Sequence, residues 1–125
     1  MPYQMRLLNE GHVLLVQTGE CVTMDEFAEI NEKILMYSRE APGTFHLITD
    51  MLETREHPHS VRDFKHAVHW TREQNIGWVI YLSDNHFLNV LVDAAMNMHG
   101  QSYLVLNDLQ AAMSIIGMDS GLPVD

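Results

Sequence analysis

Residues 57–70, HPHSVRDFKHAVHW, concentrate side chains that could bind a metal ion, an anion or a partner protein. They include four of the eight histidines together with Arg62 and Lys65, in a chain whose net charge is −10. Imidazole, guanidinium and hydroxyl groups at this density could coordinate a metal, hold a phosphate or carboxylate, or form a contact surface. The elements that position them decide among these chemistries.

The spacing predicts one helix over residues 60–75, opened by Ser60 with Asp63 three positions later in a capping-box pattern. At about 100° per residue, Phe64, Ala67 and Val68 face a sheet. The outward face then carries a guanidinium, two imidazoles, a carboxylate and a flanking indole, from Arg62, His66, His69, Glu73 and Trp70. We therefore expect Trp70 to point away from the interior.

Three interpretations of this outward face remain open. It is a solvated helix face, or a contact surface formed by His66, His69, Trp70 and Glu73, because Trp and Arg are enriched at interface centres. The acidic helix before it offers a complementary surface for a homodimer. The third is a metal site at His66 and His69, with Glu73 or with His57 and His59, but no spacing fixes a complete ligand set. No cofactor is expected.

The start of this helix suggests a separate anion site. Ser60, the free backbone N–H groups, Arg62 and either His57 or His59 would converge there, and helix N-termini attract anions. A phosphate, a carboxylate or a lipid headgroup would fit. The alternative is a helix capped by Ser60 without any ligand.

The remaining pattern predicts an α/β fold: an N-terminal β-hairpin followed by βα units, with a mostly parallel five-stranded sheet and four helices. The predicted strands cover residues 3–8, 12–18, 44–50, 76–82 and 102–106. Thr23 caps the first helix, Ser83, Asp84 and Asn85 offer caps for the third, and Asn107 caps a last helix that stops at Gly117. We expect a single domain over residues 1–118 and a flexible tail over 119–125.

Polar residues follow three of the predicted strands. Asp50, Asp84 and Asn107 stand where open α/β sheets place ligand-binding groups, so they are candidates for a strand-end pocket. Asp84 and Asn107 also suit a plainer role as helix caps or turn formers. The lone Cys21 has no histidine placed near it by sequence, and no catalytic constellation emerges.

Two segments carry a family resemblance: IGWVIYLSDNHFLNVLVDAAMNMHG at residues 76–100 and SYLVLNDLQAAMSIIG at residues 102–117. Together with the element order, they resemble the STAS domain, most closely its stand-alone SpoIIAA-like branch, which shares a β/α superhelix with CRAL-TRIO lipid-binding domains. The resemblance implies a non-catalytic domain that acts through protein–protein or small-ligand binding. It also implies a serine phosphorylated by a partner kinase, and Ser60 occupies that place, although no Asp precedes it and no Gly follows it.

The resemblance and the composition together set the expected partners. A homodimer, a regulatory protein partner, or a small anionic or lipid-like ligand is expected, and the CRAL-TRIO relation makes a carrier of an amphipathic ligand the alternative function. The excess of 17 Asp+Glu over 7 Lys+Arg disfavours nucleic acid. No apolar stretch is long enough for membrane insertion and no leader pattern is visible, so a cytoplasmic protein is expected.

Overall fold

The computed structural model describes residues 3–58, 60–99 and 103–120, with the side chains of residues 61, 64, 65, 98, 99 and 118–120 outside that description. The α/β class predicted from the sequence is confirmed, and five strands form one mixed sheet. The strands are β1 (Gln4–Leu8), β2 (Val13–Gln17), β3 (Phe45–Asp50), β4 (Ile76–Leu82) and β5 (Leu104–Leu106). The helices in the described residues are α1 (Met24–Glu40), α2 (Val61–Ala67), α3 (His86–His99) and α4 (Leu109–Ser120).

The order of strands across the sheet follows their order in the chain. β1 runs antiparallel to β2, as the predicted hairpin requires, whereas β2, β3, β4 and β5 pair in parallel. The hairpin turn Asn9–Gly11 has positive φ at all three positions, 51° at Asn9, 58° at Glu10 and 95° at Gly11. Glycine adopts this region without strain and Asn tolerates it, so Glu10 is the residue whose conformation is unfavourable in this turn.

Alternate strand residues face two separate cores, one on each side of the sheet. On one side α1, α2 and α3 cover the buried strand residues Leu14, Val16, Phe45, Leu47, Val79 and Tyr81. On the other side α4 packs through Ala112 and Ile116 on Val13, Leu15, Ile48, Ile80 and Leu82. Strands buried on both faces explain the nearly continuous apolar runs in β2 and β4.

α1 begins as the sequence predicts. Thr23 Oγ1 accepts a hydrogen bond from the Glu26 backbone N–H at 3.1 Å, which satisfies one of the free donors of the first turn. Phe27, Ile30 and Ile34 then recur at helical spacing and are buried against the sheet.

The predicted single helix over residues 60–75 is wrong. α2 ends at Ala67, Val68 leaves helical geometry at φ −85° and ψ 36°, and a short 3-10 helix follows at His69–Arg72. Thr71 Oγ1 donates to the Val68 carbonyl at 3.0 Å across this break. Because the helical phase is lost after Ala67, the projection that placed later side chains outside does not hold.

The later helix ends differ from the sequence expectation in detail. Asn85 Oδ1 accepts from the Leu88 backbone N–H at 3.2 Å, so Asn85 is the residue that caps α3. Asp108, and not Asn107, caps α4: its Oδ1 accepts from the Gln110 backbone N–H at 3.2 Å. α4 also continues past the predicted stop at Gly117 to Ser120. Residues 121–125 of the predicted tail lie outside the described residues. No helix in the described ranges is long and apolar enough to cross a membrane.

Candidate functional site

Trp70 lies in the interior, so the predicted contact surface built around an outward indole is wrong. Its side chain is 0% exposed, and its Nε1 donates to Asn31 Oδ1 at 2.6 Å. Asn31 in turn donates from Nδ2 to the Phe27 carbonyl at 2.8 Å, one turn earlier in α1. The break after α2 turns the indole inward, where it joins α1 to the 3-10 helix.

The other residues of the predicted surface separate into two places. Glu73 faces Arg39, whose Nε lies 3.1 Å from Glu73 Oε1, and both line a polar cleft of about 520 Å³ that also holds Arg72. His66 is exposed and His69 is half-buried, and both lie instead between α1 and α2. Only these two imidazoles of the predicted set therefore share a site.

The cleft between α1 and α2 has a volume of about 360 Å³. Met24, Ala28 and Glu32 line its α1 side, and their i, i+4, i+8 spacing makes them one stripe of the helix. Asp63, His66 and Ala67 line the α2 side, and His69 contributes from the 3-10 helix. We call the small or apolar side chains of this lining the floor of the cleft, and its four ionisable side chains the rim.

One contact crosses the rim of this cleft. His69 Nε2 lies 3.3 Å from Glu32 Oε1, while His69 Nδ1 lies 2.9 Å from the Ala67 carbonyl oxygen. A neutral imidazole donates through only one nitrogen, so it cannot donate to both oxygens at once. The contact is an ion pair only when the ring is protonated. The carboxylate of Asp63 has no ion pair or side-chain hydrogen bond to other described residues.

The start of α2 is capped as predicted. Ser60 Oγ accepts from the Asp63 backbone N–H at 3.2 Å, and Ser60 and Arg62 are both exposed. His57 is buried, with its Nδ1 2.9 Å from the Pro58 carbonyl oxygen and its ring centroid 5.8 Å from that of Phe87 on α3. His57 is thus engaged with its own loop and α3, and His59 lies outside the described residues. The anion site predicted here stays a prediction.

The strand-end candidates occupy one edge of the sheet, because β3, β4 and β5 are parallel and in register. Asp50 Oδ2 accepts from Gln17 Nε2 at 3.3 Å, and its Oδ1 accepts from the Leu52 backbone N–H at 3.1 Å. Both carboxylate oxygens therefore already accept hydrogen bonds, one from a side chain of β2 and one from the nearby backbone. Asp84 and Asn107 are exposed. The pocket predicted at this edge stays a prediction.

No group of three or more His, Cys, Asp or Glu side chains in the described part of the chain has a geometry that could hold a metal ion. Glu73, offered as a third ligand for His66 and His69, is paired with Arg39. Cys21 is exposed, and its backbone forms an isolated parallel bridge with Glu56.

The resolved pKa shifts of tyrosines lie away from this cleft. The hydroxyl of Tyr103 donates to Asp93 Oδ1 at 2.5 Å, and this hydrogen bond raises the pKa of Tyr103 to about 12. Burial raises the pKa of Tyr81, which lies in the core under α1, α2 and α3. Burial, followed by the hydrogen bond to Glu29, also raises the pKa of Tyr3.

No protein-family model matches the chain, and no curated protein or solved structure shows a significant match. Sequence reasoning missed Met24, Ala28, Glu32 and Asp63 as lining residues. The i, i+4, i+8 stripe was visible in the sequence, but not which neighbouring helix it faces.

Proposed function

We propose that this chain is a non-catalytic binding domain of the STAS or SpoIIAA-like type, and that the cleft between α1 and α2 is its docking surface for a protein partner. The observation that carries the proposal is the cleft lining, which combines small or apolar side chains with four ionisable ones. Interfaces commonly combine an apolar centre with a polar rim. Sheet order that follows chain order, with one antiparallel N-terminal strand, supports the fold part of the proposal.

The proposed docking surface lies at the junction of α2 with α1, whereas the sequence predicted a surface on the outer face of α2. His66 and His69 remain part of it, whereas Trp70 supports it from inside through Asn31. The hydrogen bond from Trp70 to Asn31 joins α1 to the 3-10 helix behind the cleft, and a preorganised surface loses little side-chain entropy on binding. The proposed partner interaction therefore no longer depends on an exposed indole.

The test is affinity purification with quantitative mass spectrometry from the cells that express the protein. Ala28→Arg places a long side chain across the cleft floor at an exposed position of α1 and should abolish recovery of the partner. Gln110→Arg makes the same gain of charge at an exposed position of α4, on the opposite side of the sheet, and should leave recovery unchanged. Equal recovery with both variants contradicts the proposal.

Phosphorylation of Ser60 would make docking switchable. The exposed Ser60 stands three residues before Asp63, which lines the cleft, so a phosphate there adds negative charge beside the rim. We expect Ser60 to appear in phosphopeptide maps of the native protein, and Ser60→Asp to alter partner recovery relative to Ser60→Ala. Complete peptide coverage without phosphate at Ser60 removes the switch and leaves docking intact.

A carrier of an amphipathic or lipid-like ligand is the second candidate, and one observation favours it. Phe87 and Val90, one turn apart on α3, are 48% and 47% exposed, although large apolar side chains are usually covered. Native mass spectrometry of the freshly purified protein should then show an added small-molecule mass. A single mass equal to that of the polypeptide argues against carriage.

A further inference from the structure

The lining of the α1–α2 cleft has the two parts that a long basic side chain requires. Lys and Arg combine a methylene stem, which packs on apolar surface, with a cationic end that stays polar. Met24, Ala28 and Ala67 offer the apolar floor, and the carboxylates of Glu32 and Asp63 stand on opposite walls of the same cleft. A stem on the floor therefore brings its charged end between two carboxylates.

The charges of the described lining favour a cation over an anion. Among the described residues, Asp63 has no ion-pair partner, and the one ion-pair contact of Glu32 is with His69, whose Nε2 lies 3.3 Å from Glu32 Oε1. When the two imidazoles are neutral, the ionisable side chains of the described lining carry two negative charges and no positive one. A guanidinium or ammonium group offers N–H donors to both carboxylates, and charge-assisted hydrogen bonds are the stronger kind.

We propose that the cleft binds a lysine or arginine side chain presented by a basic segment of a protein partner. The inference rests on the proposed docking function and specifies its chemistry. The net charge of −10 attracts a basic partner over distance and opposes approach of a second copy of the same chain. The volume of about 360 Å³ accommodates one such side chain together with part of the backbone that carries it.

The direct test is an NMR titration of the full chain with the blocked peptide acetyl-Ala-Ala-Arg-Ala-Ala-amide. Saturable shifts are expected in the amides of Ala28, Glu32 and His66. The counterpart peptide with citrulline, which keeps the shape of arginine without its charge, should bind several-fold more weakly. Salt should weaken binding of the arginine peptide strongly by about 1 M, where the Debye length is about 3 Å. Equal shifts with the two peptides overturn the inference.

Matched variants locate the charge that the peptide recognises. Glu32→Gln and Asp63→Asn should each weaken arginine-peptide binding by about two- to fivefold, as expected for exposed ion pairs. Glu40→Gln makes the same charge change at the exposed end of α1, outside the cleft, and should leave the affinity unchanged. Identical weakening by all three variants reduces the effect to net charge and contradicts a specific site.

The two proposals fail in different ways. If Ala28→Arg abolishes partner recovery but the arginine peptide causes no saturable shift in the cleft, the docking surface stands and its basic ligand is rejected. If the peptide binds the cleft but partner recovery is the same for Ala28→Arg and Gln110→Arg, the ligand chemistry stands and the docking function is rejected.

Discussion

The indole nitrogen of Trp70 and the side-chain oxygen of Asn31 lie 2.6 Å apart inside the protein, and their hydrogen bond joins α1 to the 3-10 helix after α2. Asn31→Leu leaves the indole N–H buried without this acceptor, so we expect the free energy of unfolding to fall by about 1–3 kcal/mol. Chemical denaturation, with an unchanged dependence on denaturant, measures the loss.

Asn89→Leu is the matched control for this prediction. Asn89 is a half-buried helix asparagine, whereas Asn31 is fully buried, and Asn89 Oδ1 has no hydrogen-bond partner among the described residues. Its replacement should cost clearly less than that of Asn31. Equal costs for the two variants would show that the hydrogen bond to Trp70 contributes little.

Gly77→Ala should destabilise β4. A Cβ at this position would stand 2.5 Å from the His46 imidazole and 2.8 Å from Thr44 Cγ2. His46 cannot move freely, because its Nδ1 accepts from the Trp78 backbone N–H at 2.9 Å. Overpacking of this kind costs about 1–3 kcal/mol. Thermal unfolding measures this loss of stability, with Gly43→Ala as the control. The new Cβ of Gly43→Ala would lie 3.4 Å from His12 Cε1, which is ordinary contact, so that variant should be nearly neutral.

The cap of α2 gives a third prediction. Ser60→Ala removes the acceptor for the Asp63 backbone N–H and should lower the free energy of unfolding by about 0.5–2 kcal/mol. Ser60→Asp should retain most of the stability, since Asp caps as well as Ser. Ser114→Ala, at an exposed position of α4, serves as a control for loss of a hydroxyl. Urea unfolding that does not distinguish Ser60→Ala from Ser114→Ala contradicts the prediction.

Tyr103 gives a prediction about alkaline pH. Its pKa is raised from 10.0 to about 12 in the folded chain, chiefly by the hydrogen bond to Asp93. The protonated phenol is therefore favoured by folding: its contribution to stability is complete below pH 10 and is lost as the pH rises through about 12.

Absorbance of ionised phenol in wild type and in Tyr103→Phe measures this directly. The difference between the two titrations should rise near the elevated pKa of Tyr103. Asp93→Asn, which removes the charged acceptor, should move that rise toward lower pH. A difference titration centred at 10.0, the ordinary pKa of tyrosine, would contradict the hydrogen bond to Asp93 in solution.

The sequence predicted well those features that depend on local periodicity and capping. The hairpin, the α/β class and the caps at Thr23 and Ser60 follow from alternation, apolar runs and a hydroxyl three residues before an acidic residue. Each of these signals comes from interactions within a few residues. Tertiary packing strengthens them but does not reverse them.

The candidate site was harder to predict because it depends on contacts between distant residues. The histidine-rich segment continues a helical pattern to residue 75, yet Trp70 gains more from burial and from Asn31 than from extending the helix. Nothing within residues 60–75 encodes a polar acceptor thirty-nine positions earlier. The pairing of Glu32 with His69 is likewise a property of two helices meeting, and it leaves no mark in either segment alone.

Among the described elements, α4 is the one helix on its side of the sheet, and this bears on how the chain folds during synthesis. Each strand pairs with the strand made before it, so the sheet can grow in the order of translation. Ile48, Ile80 and Leu82, however, are covered by α4, which is made after β5. A nascent chain whose α4 has not yet been synthesised exposes this apolar face of the sheet. Its dependence on chaperones should therefore be greatest at that stage.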